Sequence, residues 1–183
     1  MKILLLGASG QLGTELNRQL PLIAEIKAYT RSELDITDTQ AVIETISSFK
    51  PNVIVNAAAY TAVDNAEEEK SLAYAINSDA VAVLAQQAAK QGAWLIHYST
   101  DYIFDGEKTA PYTEMDTANP INVYGASKLA GEEFIAASNC NHFIFRTTWV
   151  IGKDGRNFAK TILRLATQRD SLSVINDQYG VPT

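Results

Sequence analysis

One cysteine, Cys140, stands in the 183-residue chain, so no internal disulfide can form, which suits a reducing compartment. Basic residues are outnumbered, 15 Lys and Arg against 21 Asp and Glu, and they form no cluster. That argues against nucleic acid and against anionic membrane surfaces as partners. No apolar stretch approaches the roughly 20 residues that a membrane span requires. Between Lys2 and the first glycine stand only Ile3 to Leu6, too few for the apolar core of a secretory signal. A cytoplasmic location is therefore expected. Internal repeats, low-complexity segments and metal-ligand spacings are missing as well, so no metal site is expected. What the chain does have is 46% apolar content, enough for one sizeable core.

Strand and helix patterns alternate along that core. Lys2 to Leu6 is a short apolar run of the kind that forms a buried parallel strand. Gly7-Ala-Ser-Gly10-Gln-Leu-Gly13 follows, then Leu12, Leu16 and Leu20 at helical spacing, closed by Pro21. Ile26–Thr30, Val53–Val55, Ala93–Tyr98, His142–Arg146 and Leu172–Ile175 read as further strands. Residues 38–49, capped by Asp38 or Thr37, 66–91, 124–137 and 157–168 read as helices. Residues 99–122, broken by Gly106, Pro111 and Pro120, form a long irregular loop, and long ordered loops are usually functional. This pattern predicts an α/β fold, a doubly wound parallel sheet with helices on both faces. Ligands of such sheets bind beyond the carboxyl ends of the strands. Gly7–Gly13, Asn56–Tyr60, Ser99–Tyr102 and Thr147–Trp149 all fall there.

Strand, glycine turn and helix together make a dinucleotide site. Gly7 permits the tight turn, Gly10 lets a pyrophosphate approach the backbone, and Gly13 lets helix and strand pack closely. The helix start offers free N–H groups and a partial positive charge to phosphates. The spacing is G-x-x-G-x-x-G, one residue longer at its first interval than the standard fingerprint. Arg31, just past the second strand, suits a 2′-phosphate and so favours NADPH, while Glu33 beside it leaves NADH open.

Tyr124 and Lys128 lie four apart at the start of a helix, hence on one face. An ammonium beside a phenol favours the phenolate and lowers its pKa, which equips the pair for proton transfer to a substrate oxygen. Glu67 to Lys70 reads as a solvated helix start, His97 as a buried strand residue, and Trp149 as either a core aromatic or a ligand contact.

The glycine turn, Asn56-Ala-Ala-Ala59 after a strand, Ser99-Thr100-Asp101 and Tyr124-x-x-x-Lys128 together resemble the extended short-chain dehydrogenase/reductase family, whose members carry a Rossmann-type sheet. Five segments bring the chain nearest to the dTDP-4-dehydrorhamnose reductases within it. They are Val55–Asp64, His97–Phe104, Asn122–Glu132, Phe145–Trp149 and Ile175–Thr183. Members of that group are longer, mostly by substrate-binding region. The resemblance therefore implies an N-terminal portion, with residues 1–183 forming the cofactor-binding domain and the start of the substrate region near its C-terminal end. Such a portion is expected to turn over weakly or not at all by itself.

The resemblance also implies roles. Tyr124 would donate a proton to the C4 oxygen of a 4-keto sugar on a dTDP carrier, Lys128 would hold the nicotinamide ribose, and Thr100 would polarise the same carbonyl. Gln11 and Leu12 would line the pyrophosphate, and Asp35 and Ile36 the adenine. Ala59, Tyr60 and Thr61 would follow the middle of the cofactor, with Tyr98 nearby. Asp101 and Trp149 would touch the sugar nucleotide. Tyr102 replaces the glutamate that dehydratases of the family use to eliminate water, so dehydration is not expected. Glu15 matches a position where some members hold magnesium between subunits, and a homodimer is compatible with that, although the residue by itself reads as a surface glutamate. Two alternatives stand beside this reading: another nucleotide-sugar reductase or epimerase, and a binding protein like the regulatory subunit of methionine adenosyltransferase.

Overall fold

The apolar runs become strands of a single parallel sheet. A computed structural model describes residues 1–155 and 157–183. In it β1 (Lys2–Leu6), β2 (Glu25–Tyr29), β3 (Val53–Asn56), β4 (Trp94–Thr100) and β5 (Asn141–Thr147) lie in the order β2-β1-β3-β4-β5, all neighbours parallel. Leu4, Leu5 and Leu6 are buried from both sides, as the middle strand of a doubly covered sheet must be.

The helices divide between the two faces. Leu4, Leu6, Ile54 and Leu95 point toward α2 (Thr39–Phe49), α4 (Ala80–Gln91) and α5 (Val123–Ala137), which contribute Val42, Ile46, Leu84 and Ile135. Ile3, Leu5 and Val55 point the other way, against Leu16 of α1 (Gln11–Gln19). The chain runs from β1 outward to β2 and returns to β3 on β1's other side. The carboxyl ends of β1 and β3 therefore flank a switch point, where doubly wound sheets bind ligands. No helix among the described residues is long and apolar enough to cross a membrane.

Two expectations need correction. The helical region at 66–91 is not one helix. A 3₁₀ turn (Asn65–Glu67) and α3 (Lys70–Tyr74) lead into a π turn (Ala75–Asp79) before α4. The wider turn directs Asn77 inward, where its side chain accepts from Tyr60 N (2.9 Å) and donates to Tyr60 O (3.0 Å) and Ser127 Oγ (3.0 Å). A π turn at a functional site is a recurrent use of that geometry. α5 then rests directly on backbone: a Cβ on Gly131 would lie 2.2 Å from Asn77 O, and one on Gly125 2.1 Å from Tyr102 O.

The strand expected at Leu172–Ile175 does not form. Those residues are irregular, and Ile175 is 71% exposed. β-propensity records fit to neighbours, and here no strand lies alongside. β5 remains the sheet edge, with Trp94, Phe143 and Phe145 forming an exposed aromatic strip (ring centroids 5.2 and 6.2 Å apart). α6 (Phe158–Ala166), capped by Asn157, has no fully buried residue.

Candidate active site

The glycine turn makes a cleft at the switch point. Gly7 has φ +81°, and a Cβ there would lie 2.5 Å from Ala58 N. A Cβ on Gly13 would lie 2.0 Å from Gly7 O, so the start of α1 packs on the turn itself. Gly7 N and Ala8 N both donate to Tyr29 O at 3.0 Å. Gly10 is the N-cap of α1 and offers no side-chain cap, and the first-turn N–H groups of Gln11, Leu12 and Gly13 have no intrahelical acceptor. Bare N–H groups beside three glycines are a fitting cradle for a pyrophosphate.

Ser9, Gly10, Arg31, Asp35, Ile36 and Ala57 to Ala59 line this cleft. Exposed Arg31 reaches Asp35 Oδ2 (3.2 Å) at the rim. Thr37 N–H and hydroxyl, with Arg31 adding less, hold the Asp35 carboxyl below its usual range. Glu33 turns back on its own loop, accepting from Thr30 N (2.9 Å) and Thr30 Oγ1 (2.7 Å). Among these side chains Arg31 is the exposed cation at the rim, held by Asp35 alone, and Glu33 is occupied by Thr30.

Some predicted contacts are arranged otherwise than their backbone neighbours. The Gln11 side chain donates to Val150 O and accepts from Asn157 Nδ2, both at 2.8 Å, tying the segment after β5 to the start of α1. Leu12 is half-buried and Thr61 exposed. Tyr60 is turned inward and its hydroxyl donates to Glu69 Oε2 at 2.5 Å. That bond pushes the phenol up to about 12. The acids read as a solvated helix start are therefore partly structural, since Glu67 Oε1 also accepts from Val123 N (2.8 Å) at the start of α5.

The second cluster sits at the carboxyl end of β4. α5 begins where Asn122 Oδ1 accepts from Gly125 N (2.7 Å). Its first turns carry Tyr124 and Lys128. Lys128 is 2% exposed, a rare state for lysine. Its Nζ donates to Tyr98 O (2.6 Å) and lies 3.3 Å from His97 Nε2. Burial pulls the ammonium down to about 8, against an upward pull from Glu132. Tyr98, expected near the cofactor, offers this carbonyl while its ring stacks on Phe145.

Buried Thr100 ends β4. Its hydroxyl donates to Asp101 Oδ1 and accepts from Tyr102 N, both at 3.2 Å. The Tyr102 ring meets Tyr124 edge-on, centroids 5.7 Å apart. Trp149 holds φ +45°, with its ring against Gly180. Glu15 bonds Arg18 and Gln19 on the surface of α1.

The direction of the Tyr124 shift departs from expectation. Burial pushes the hydroxyl up, Thr100 pulls it down, and Asp101 and Tyr102 push it up again. The sequence reading counted the neighbouring ammonium and left out the desolvation of the phenolate, which is larger. Sequence reasoning placed Asn56 at the end of its strand but not its buried contact with His97 (3.2 Å), and it missed Asn77. Their signals were an asparagine at the end of an apolar strand and another inside an alanine-rich helix, both costly to bury unpaired.

The buried lysine makes stability pH-dependent. Its folded pKa of about 8 lies below the ordinary lysine value of 10.5, so the unfolded chain binds the proton more tightly and stability rises with pH between those values. From pH 7.5 to pH 9.5 the chain should gain about 2 kcal/mol, and Lys128→Met should flatten the profile. Above pH 10 the raised tyrosines act in the opposite sense. Urea unfolding at a series of pH values checks this, and equal slopes in both proteins would refute it.

Fold and site together define a doubly wound α/β protein with a dinucleotide-type cleft and a Tyr-x-x-x-Lys helix beside it. The chain belongs to the RmlD substrate binding domain family, which matches residues 1–183. It is 49% identical to the dTDP-4-dehydrorhamnose reductase of Salmonella typhimurium, covering 100% of this chain and 62% of the relative. It is 46% identical to that of Burkholderia thailandensis, covering 100% and 61%. Among solved structures it resembles a dTDP-4-dehydrorhamnose reductase from Bacillus anthracis in complex with NADP, with TM-score 0.96, 42% identity and coverage of 100% and 65%. The chain thus spans about 62% of the length of such curated relatives.

Proposed function

We propose that the chain is the cofactor-binding domain, with the start of the substrate region, of an NADPH-dependent reductase that converts dTDP-4-dehydro-L-rhamnose to dTDP-L-rhamnose. The observation that carries this reading is the buried Lys128 with Tyr124 and Thr100 beyond β4, on the same sheet end as the glycine cleft. The relatives' names support the substrate.

The open N–H groups of α1 would hold the pyrophosphate, Arg31 the 2′-phosphate, and Asp35 and Ile36 the adenine side. When bound, NADPH supplies the hydride that goes to C4. The chain's own work is positioning and electrostatics. Thr100 Oγ1 donates to the ketone oxygen, leaving its bond to Asp101. Tyr124 transfers its hydroxyl proton to that oxygen as negative charge develops there, so C=O becomes CH–OH. Lys128 would bind the nicotinamide ribose and, when charged, would favour the phenolate that remains. Asp101 and Trp149 would contact the sugar nucleotide. A cytoplasmic location belongs to the same reading, supported by the unpaired, buried Cys140.

The test is NADPH oxidation with dTDP-4-dehydro-L-rhamnose by a chain of the relatives' full length. Tight NADPH binding by a folded protein with no ketone reduction would overturn the assignment. Arg31→Ala should weaken NADPH about 10- to 100-fold, the worth of a charge-assisted hydrogen bond to phosphate, and leave NADH nearly unchanged. An equal loss for both cofactors would remove Arg31 from the 2′-phosphate site.

A further inference from the structure

His97 is 0% exposed, yet both ring nitrogens face polar neighbours. Nδ1 lies 3.2 Å from Asn56 Nδ2, and Nε2 lies 3.3 Å from Lys128 Nζ. Both neighbours are nitrogen donors. A neutral imidazole has one N–H and one bare nitrogen, so it cannot accept from both. A doubly protonated ring is excluded at ordinary pH, because burial and the nearby Lys128 drive the His97 pKa well down.

The orientation of Asn56 decides between the two tautomers. Its Oδ1 accepts from Ala58 N (3.2 Å), in the turn after β3. An inverted amide would set NH₂ against that N–H and cost a hydrogen bond in a part-buried place. Asn56 therefore presents Nδ2 to His97 Nδ1, Nδ1 accepts, and the ring proton sits on Nε2.

We propose that Asn56 and His97 are positioning residues for Lys128: Asn56 fixes the His97 tautomer so that Nε2–H faces Lys128 Nζ, an arrangement that favours an amine there and opposes an ammonium. An amine accepts from Nε2–H and still donates to Tyr98 O. An ammonium keeps Tyr98 O but meets Nε2–H head-on. The pair thus makes the ammonium more acid than burial alone would.

The other groups around Lys128 do not supply this effect. Glu132, on α5 itself, pulls the lysine the other way and is held by Arg146 of β5, Nη2 to Oε2 at 2.7 Å. Asp101 and Tyr102, after β4, act on Tyr124. Asn56 from β3 and Asn77 from the π turn are uncharged. The consequence for turnover rests on the reductase reading; the titration does not.

The test combines ¹⁵N NMR of the His97 ring with a ¹³Cε titration of Lys128 in the 183-residue chain. The expected result is a protonated Nε2 and a bare Nδ1 at pH 7 and at pH 9, with Lys128 titrating near 8. In His97→Gln the amide can offer its oxygen to the ammonium, and in Asn56→Asp the carboxylate draws the ring proton to Nδ1. Both variants should raise the Lys128 midpoint by one unit or more, a tenfold change in proton affinity. In a turnover-competent chain the pH profile of kcat should move with it while KM stays put. Finding the proton on Nδ1 in the unaltered chain, or an unchanged Lys128 midpoint in whichever variant folds, overturns the proposal. Failure of the unaltered, full-length chain to reduce any keto-sugar would instead overturn the reductase reading and leave the NMR result standing.

Discussion

Tyr124→Phe is expected to lower kcat for ketone reduction by about 10²- to 10⁴-fold, the usual worth of a positioned general acid, and to leave NADPH affinity within about twofold. The substitution removes one oxygen and keeps the ring. The edge-on contact with Tyr102, centroids 5.7 Å apart, survives, as does the seat of α5 on the backbone at Gly125 and Gly131. What the proposed mechanism loses is the proton for the nascent alkoxide. Because burial holds Tyr124 above its ordinary value, the phenol stays protonated through the working range and is ready to donate. Steady-state kinetics beside an NADPH titration would check both halves. A variant that turns over at the parental rate would show that another group supplies the proton.

Gly13→Val is expected to be the most damaging single change to the cofactor cleft. A Cβ at Gly13 would sit 2.0 Å from Gly7 O and 2.9 Å from Ala8 Cα. Both are atoms of the turn's own backbone, which no rotamer change can move. α1 would have to lift from β1, stripping Leu16 from Ile3 and Leu5 and displacing the N–H groups aimed into the cleft. Stability should fall by about 3 kcal/mol or more, at the upper end for overpacking, and NADPH binding should be lost. Gly10→Ala separates the two effects, since its Cβ would meet nothing nearer than Gly7 O at 3.4 Å. That protein should fold with nearly parental stability and still bind NADPH poorly, because the methyl occupies the phosphate's approach. Urea midpoints and NADPH titrations of both variants decide it. A Gly13→Val protein with parental stability would mean that α1 is not seated on the turn.

The parts of this fold that show in the sequence are those set by local pattern. The apolar run at Lys2–Leu6, the three glycines and the Tyr124/Lys128 spacing each have one economical reading, and the structure forms the corresponding strand, turn and helix. What stayed hidden depends on partners remote in sequence. The π turn at Ala75–Asp79 exists because Asn77 meets Tyr60 and Ser127, which no window of neighbouring residues contains. Leu172–Ile175 has strand composition but no strand beside it. Tyr124 looked like a phenol made acidic by an ammonium, and its burial, invisible in a four-residue motif, reversed the direction. His97 was legible as buried, and its two donor neighbours were not.

The chain's two tryptophans divide its length optically. Trp94 opens β4, stacked on Phe143, while Trp149 lies just past β5 at the opposite end of the sheet, near the proposed substrate contacts. Each indole is a little under half exposed, at 42% and 47%, so each emission maximum should respond to local changes in wetting. Trp94→Phe keeps an aromatic partner for Phe143 and leaves Trp149 as the single tryptophan, which can be excited apart from the tyrosines. The protein would then report sugar-nucleotide arrival by its own emission, without label or coupled assay, while the converse variant would watch the sheet edge alone.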